Sequence, residues 1–473
     1  MTHTIARKYL KKRSDFLSLK NGVLCVEGIP IKRIVNKYNT PLYLMLDRKI
    51  RENFRKFSGA FPYHKLRVQY ATKCNSNLEI LNVIREEGGE IDASSVGEII
   101  LALLADFEPH QITFTNLYKS EQDIHFAAQV GVYAITADSL EELKRIETVG
   151  KKLNKKVDIF LRINPLITIN NYTTKNQQYG IPIQFVKKAI DYSIKSDYLN
   201  LIGFHFHGGY VTEYKAYFEV IKKMVSLMVY CKKMGVEIKS LDLGGGFPIE
   251  KDNGKKVYLP HDFGSELIDL LKEQIQKNDL IFPYLIFEPG KFIVANTMFG
   301  VIKVISKKQL PDKEILITDG STYGFIPDAL IYKAYYDIIP VTKIDKRATD
   351  NYTICGCTCD CIDIIGANRK LPHSEENDLL AVMDCGAYSN VMCSNFNTLK
   401  RAPMIMVYSD GRIKLIRRRD RYSEMFAPEM DVLKKYGDPD ELKKYYNLFR
   451  VNLDRLWGSK NGKKESIQKK KKI

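Results

Sequence analysis

A closed (β/α)8 barrel joined to a second, mostly antiparallel β domain is the α/β architecture that this sequence predicts, and three observations predict it. Eight short apolar, β-rich runs alternate with amphipathic helical stretches between about residues 45 and 290. Eight strand–helix units in about 245 residues match the size of one such barrel. After Gly290 the texture changes to strand-like runs separated by turn residues, with few long helical patterns. The length of 473 residues agrees, since a single core rarely grows past about 300 residues. An open doubly wound sheet is the alternative arrangement of the same elements.

The barrel strands are expected, in order, at LRVQYATK (66–73), EIDA (90–93), QITFTN (111–116) and VYAITAD (132–138). VDIFLRINP (157–165), LIGFHFHGG (201–209), SLDLGGGFP (240–248) and YLIFEPG (284–290) complete the set. Between them, SSVGEIILALLADFE and SLEELKRIETVGKKLN carry apolar residues every three or four positions, each behind a Ser suited to the N-cap. Beyond the barrel, FIVANTMFGVIKVIS, EILITDG, YTICGCTCDCIDIIG, DLLAVMDCGAY and MIMVYSDGRIKLIRR predict the strands of the second domain. The early stretch GVLCVEGIPI is expected to join them as one more strand. The chain thus divides into an N-terminal segment (1–45), the barrel (46–290), the β domain (291–430) and an extension (431–473) ending in a Lys-rich tail.

Composition narrows the class further. Hydrophobic residues make up 45% and charged residues 27%, an ordinary globular balance. There is no run of roughly 18 apolar residues, so no membrane span is predicted. The basic N-terminus lacks the apolar core of a secretory signal. With nine cysteines and no such signal, thiols in the cytoplasm are expected rather than disulfides. The net charge is +17, and residues 459–473 hold seven lysines against one acid. Such a run reads as a solvated end, with binding to nucleic acid or another acidic surface the less expected alternative. The positive body suits an anionic cofactor or substrate.

Active sites of these barrels form at the C-terminal ends of the strands, and the unusual residues fall there. Strand one ends in Lys73 and strand two at Asp92; strand five ends with Arg162 and Asn164. Strand six carries His205 and His207 on one face. Strand seven runs into Gly244-Gly245-Gly246, and strand eight into Glu288-Pro289-Gly290-Lys291. A partly desolvated lysine can hold an aldehyde, and consecutive glycines expose backbone N–H groups that cradle a phosphate. A carboxylate can hold a pyridine nitrogen protonated while an imidazole lies flat on the ring. Aldehyde, phosphate and pyridine together describe pyridoxal 5′-phosphate, the electron sink for chemistry at an amino-acid α-carbon. No Lys-Ser or Lys-Thr follows the glycines, so they are not a P-loop, and the spacing is not that of a dinucleotide site.

YATKCN, HFHGG, LDLGGGFP, FEPGK, CTCDCID and CGAYSN occur in this order, and together they resemble the fold-type III pyridoxal-phosphate decarboxylases, the diaminopimelate and ornithine decarboxylase family. The resemblance runs from about residue 20 to 430 and implies an alanine-racemase-like barrel, a β domain and a homodimer with shared active sites. It implies amino-acid decarboxylation, with Lys73 as the Schiff-base lysine, His207 stacked on the cofactor ring and Glu288 facing the pyridine nitrogen. Gly244, Gly245, Gly246, Gly290, Lys291 and Tyr388 match the phosphate cradle. Cys359 and Asp360 resemble the pair donated by the other subunit, Cys359 as the general acid. Asp319 stands where ornithine-type members meet the substrate's distal amine. No metal is expected: Cys355, Cys357, Cys359 and Cys361 would share one strand face, unlike a zinc knuckle, and all but Cys359 would be small buried hydrophobes.

Three departures bear on substrate. The family's Glu-Pro-Gly-Arg ends in Lys291, a point charge in place of a planar fork. His-Ile-Gly-Ser becomes His207-Gly208-Gly209-Tyr210. The arginine that diaminopimelate enzymes carry before an Ala-Leu-Tyr is missing: the segment reads Ile326-Pro327-Asp328-Ala329-Leu330-Ile331-Tyr332. Acids at Asp328, Asp360 and Asp319, beside Tyr332, suit a basic or amine-bearing side chain such as that of lysine or ornithine. An amino-acid racemase of the same fold and a non-catalytic regulatory homologue are the alternatives. The Cys359-Asp360 motif argues against the first, and the retained Lys73, Glu288 and Cys359 against the second.

Overall fold

The computed structural model describes residues 10–11, 13–249, 257–438, 440 and 443–444; the Lys-rich stretch 459–473 lies outside the described residues. Eight parallel strands close into a barrel: Leu66–Ala71, Glu90–Ala93, Ile112–Phe114, Ala134–Ala137, Val157–Asn164, Leu199–His205, Ser240–Asp242 and Tyr284–Phe287. Each pairs with the next, and Leu285 against Leu66 closes the ring. The expected barrel is therefore present, strand for strand. Ala134–Ala137 is buried along its whole length, as it must be with helices outside and packed side chains within. The expected caps are present too. Ser95 Oγ accepts from the Glu98 amide and Ser139 Oγ from the Glu142 amide, at 3.2 and 3.1 Å. They start the helices Val96–Leu104 and Leu140–Leu153.

The second sheet is mixed but mostly antiparallel. Its spine is the 12-residue strand Met298–Gln309, which pairs with Leu379–Val382 and Leu42–Leu46 on its first half and with Glu314–Thr318 on its second. Leu42–Leu46 pairs in parallel with Met404–Val407 on its other side. Every residue of Leu42–Leu46 is buried because both faces are covered. Tyr43 and Met45 enter the large core that spans barrel and sheet, and Leu42, Leu44 and Leu46 a second core beneath the N-terminal segment.

GVLCVEGIPI does not hydrogen-bond into this sheet, contrary to expectation. Leu17–Lys20, Val23–Val26 and Ile29–Pro30 form their own three-stranded antiparallel sheet. Asn21-Gly22 and Glu27-Gly28 all take positive φ, giving tight hairpin turns that satisfy the pairing locally. The side chains Phe16, Leu17, Leu24 and Val26, with half-buried Ile29, reach the second core. Among the described residues, no helix is long and apolar enough to cross a membrane.

Candidate active site

The C-terminal ends of the barrel strands open into a cavity of about 710 Å3, walled on one side by Asp328, Tyr332, Lys333, Ala334 and Tyr388 from the segments that connect the strands of the second sheet. Lys73 enters it from the single 3-10 turn Thr72–Cys74 that ends the first strand. Thr72 anchors that turn, donating its buried hydroxyl to the Asp92 carbonyl and the Glu98 carboxylate. The Lys73 ammonium lies 2.6 Å from Asp92 Oδ2. Burial works against its charge, but the nearby Asp92 and Glu288 carboxylates outweigh burial and hold its pKa above the ordinary lysine range. Asp92 is pushed up to about 6 by burial and by Glu288, against the pull of Lys73.

His207 faces the same cavity. Its Nδ1 accepts from the Gly245 amide at 3.1 Å, which leaves the proton of a neutral ring on Nε2. Burial, with Lys73 and Arg162 nearby, keeps the imidazole neutral, well below its usual pKa. The Tyr179 ring stands edge-on to it at 6.0 Å, and the Arg162 guanidinium covers Tyr179 at 4.5 Å. A flat, uncharged imidazole with one face held is suited to lie against an aromatic cofactor.

The glycine triplet is a place where side chains cannot go. A Cβ would lie 2.2 Å from the Phe206 carbonyl oxygen at Gly244, 2.4 Å from that of Glu288 at Gly245 and 2.5 Å from that of Gly209 at Gly246. At Gly290 it would meet Cys74 Sγ at 2.2 Å. These are close approaches to fixed neighbours, so the cradle admits only glycine. Tyr388 arrives from the second sheet and hydrogen-bonds the Cys74 thiol, which burial pushes up to about 11. Lys291 stands opposite, its ammonium 5.6 Å from the Tyr210 ring centre. A small backbone cradle, a lysine, a neutral imidazole and a buried carboxylate form a donor set that fits pyridoxal phosphate.

Asp328 and Tyr332 line the cavity, on either end of the short helix Pro327–Ile331. Asp328 is buried, its Oδ1 has no hydrogen-bond partner, and burial raises it to about 6 against the attraction of Lys291. Asp319 does not reach this wall. Its two oxygens take the Thr40 hydroxyl and the Lys303 amide, which ties it to the chain beyond Glu314–Thr318. Cys359 and Asp360 are also absent from the lining. They sit on the surface of a loop, where Asn397 accepts from the Cys359 amide and donates to its sulfur, and Tyr323 donates to Asp360. The four cysteines do not share a strand face: the strand ends at Cys355, and Cys357, Cys359 and Cys361 are exposed on the loop before Ile364–Leu371. Asp363 ties that loop down by accepting from Thr322 and Thr358, which breaks the alternation.

Three residues that no motif assigned a role complete the floor. Asp92 pairs with Lys73, His205 Nε2 lies 3.1 Å from Glu288 Oε1, and Asp242 Oδ1 accepts from the Gly244 amide at 2.8 Å. In the sequence, Asp242 was marked only by standing two positions before the triplet.

The family model described as pyridoxal-dependent decarboxylase, pyridoxal binding domain, matches residues 47–295. Diaminopimelate decarboxylase of Aquifex aeolicus is 30% identical over 430 residues, 89% of this chain and 99% of that protein. That of Archaeoglobus fulgidus is 31% identical over 419 residues, 87% and 98% of the two chains. A solved structure of diaminopimelate decarboxylase from M. jannaschii in co-complex with L-lysine superposes with a TM-score of 0.80 at 28% identity, covering 88% of this chain and 97% of that one.

Proposed function

Since the chain belongs to the pyridoxal-dependent decarboxylases and is a pyridoxal-phosphate-dependent amino-acid carboxy-lyase, we propose that its substrate carries an amine at its far end and that Asp328 receives it. When bound, pyridoxal phosphate supplies an aldehyde for an amine and an electron-accepting ring for the pair left by carbon dioxide. Lys73 Nζ would hold the aldehyde, with Asp92 Oδ2 at 2.6 Å orienting the side chain. His207 would lie against the ring and Glu288 would meet the pyridine nitrogen. The amides of Gly244, Gly245, Gly246 and Gly290, the Tyr388 hydroxyl and the Lys291 ammonium would receive the phosphate.

The observation that carries the substrate reading is the buried, unpartnered Asp328 oxygen in the cavity wall, 8% exposed and lacking an ion-pair partner among the described residues. A buried carboxylate without a donor is costly, and a substrate ammonium satisfies it. Tyr332 borders the same end. Exposed Cys359 and half-buried Asp360, both absent from the lining of their own cavity, are read as serving the partner's site in a homodimer, with Cys359 protonating the α-carbon. The exposure of Cys359 beside Phe396 and Ile362, also exposed, supports that reading. Nine free thiols support the cytoplasm as its compartment.

Carbon dioxide release from lysine, ornithine, arginine and meso-diaminopimelate tests the substrate. Lysine or ornithine turns over faster than diaminopimelate, and Asp328→Asn lowers their kcat/KM about 30-fold, the equivalent of about 2 kcal/mol. Diaminopimelate is the second reading, favoured by the named relatives. Exclusive turnover of it would reassign the distal contact to Lys291 gripping a carboxylate. Borohydride trapping of cofactor on Lys73, lost in Lys73→Ala, tests the anchoring lysine.

A further inference from the structure

We infer that Asp242 is held as a carboxylic acid in the resting protein and donates a hydrogen bond to Glu288, keeping Glu288 the anion that meets the cofactor ring. This rests on the reading of Glu288 as the cofactor-facing carboxylate and adds a positioning residue behind it.

The geometry leaves few other arrangements. His205, Asp242 and Glu288 are fully buried, and one polar atom from each lies within 4.8 Å of the others. Asp242 Oδ1 is taken by the Gly244 amide. Asp242 Oδ2 is buried without a backbone or side-chain donor, and the carboxyl beside it is that of Glu288. Two neighbouring carboxyls this deeply buried favour a proton held between them.

His205 cannot supply the missing charge. Burial, together with Arg162, holds its imidazole neutral, so it offers Glu288 one N–H from Nε2 at 3.1 Å. The other groups facing Glu288 are Lys73 from the turn after strand one, Asp92 from strand two and Arg162 from strand five. Both cations already have carboxylate partners, Asp92 and Asp138.

Which carboxyl keeps the proton follows from its surroundings. Burial raises both carboxyls, but Lys73 and Arg162 pull Glu288 back toward its charge, whereas the neighbouring Glu288 and Asp92 carboxylates push Asp242 further, well above the carboxylate range. Glu288 then receives two donors, Asp242 O–H and His205 Nε2–H, and stays ionised although it is buried. Asp242 touches neither substrate nor ring; it acts through Glu288.

Infrared difference spectra of the full chain at pH 7, with and without cofactor, test this. The wild type shows a carboxylic-acid carbonyl band that Asp242→Asn removes and Glu288→Gln does not. Asn still donates to Glu288, so Asp242→Asn keeps the cofactor's absorbance and its pH dependence. Asp242→Leu has no donor to offer, so its cofactor absorbance titrates at a pH at least one unit higher and kcat falls 10-fold or more with KM nearly unchanged. No acid band in the wild type, an unmoved titration in a folded Asp242→Leu, or a stoichiometric divalent ion released by Asp242→Asn each overturns the inference. A band lost in Asp242→Asn, with absorbance indifferent to Glu288→Gln, upholds the acid and removes the cofactor role of Glu288 instead.

Discussion

Asp328 shows how one side chain can act against the stability of its own protein. Its carboxyl titrates near 6 in the folded chain, whereas a free aspartate titrates near 4. The folded state therefore binds the proton more tightly, and stability falls as pH rises through this window. Asp328→Asn removes that loss. Thermal or urea unfolding should show a gain of about 1–3 kcal/mol at pH 8, allowing for water in the cavity, and about half of it at pH 5. Activity moves oppositely: wild-type kcat/KM for an amine-ended substrate declines below pH 6, and the variant's flat, low profile lacks that limb. Lys73, His207 and Glu288 were legible because each lies in a short string whose neighbours are equally constrained. Asp92, His205 and Asp242 stood in the same strands without an assigned role, because a strand-end residue does not announce which strand it will face. Asp319 stands where the resemblance puts an amine-binding aspartate, but hydrogen bonds from the distant Thr40 and from Lys303 hold it away from the cavity.

The elements behave similarly. All eight barrel strands and the Ser N-caps could be read from periodicity, since burial on both faces writes continuous apolar runs and orphan amides call for a capping oxygen. The cysteine-rich segment could not, because period two suggests a strand, and only the distant Asp363–Thr322 contact shows that the chain leaves the sheet after Cys355. For the strand-to-loop element Ser240–Gly246, Gly245→Ala drives a methyl group against the Glu288 backbone carbonyl at 2.4 Å. Absorbance titration should show cofactor bound at least 100-fold more weakly, roughly 3 kcal/mol, with little change in far-ultraviolet dichroism. On the Cys359 loop, Asn397→Ala frees the sulfur from its amide partner, and kcat should drop several-fold with KM little changed.

At the scale of the whole molecule, the proposed homodimer predicts complementation. Lys73→Ala and Cys359→Ala homodimers are each inactive, but mixing and reassociation should restore about a quarter of wild-type activity, because half the dimers are hybrids with one intact site. No recovery after confirmed subunit exchange would place Cys359 in its own subunit's site. The proposed units, 46–290 and 291–430, meet at the strand Leu42–Leu46, which lies in sequence before the barrel and in space between Met298–Gln309 and Met404–Val407. That strand is synthesised early and has no strand partner until about 250 residues later, an interval of roughly 12–50 s at 5–20 residues per second on the ribosome. For that time both edges of Leu42-Tyr43-Leu44-Met45-Leu46 lack a hydrogen-bonding strand while the barrel forms behind it. Newborn chains of this protein thus depend on holding one unsatisfied segment apart from its neighbours on the same messenger, and any release before Met298 leaves a product with a permanent adhesive edge.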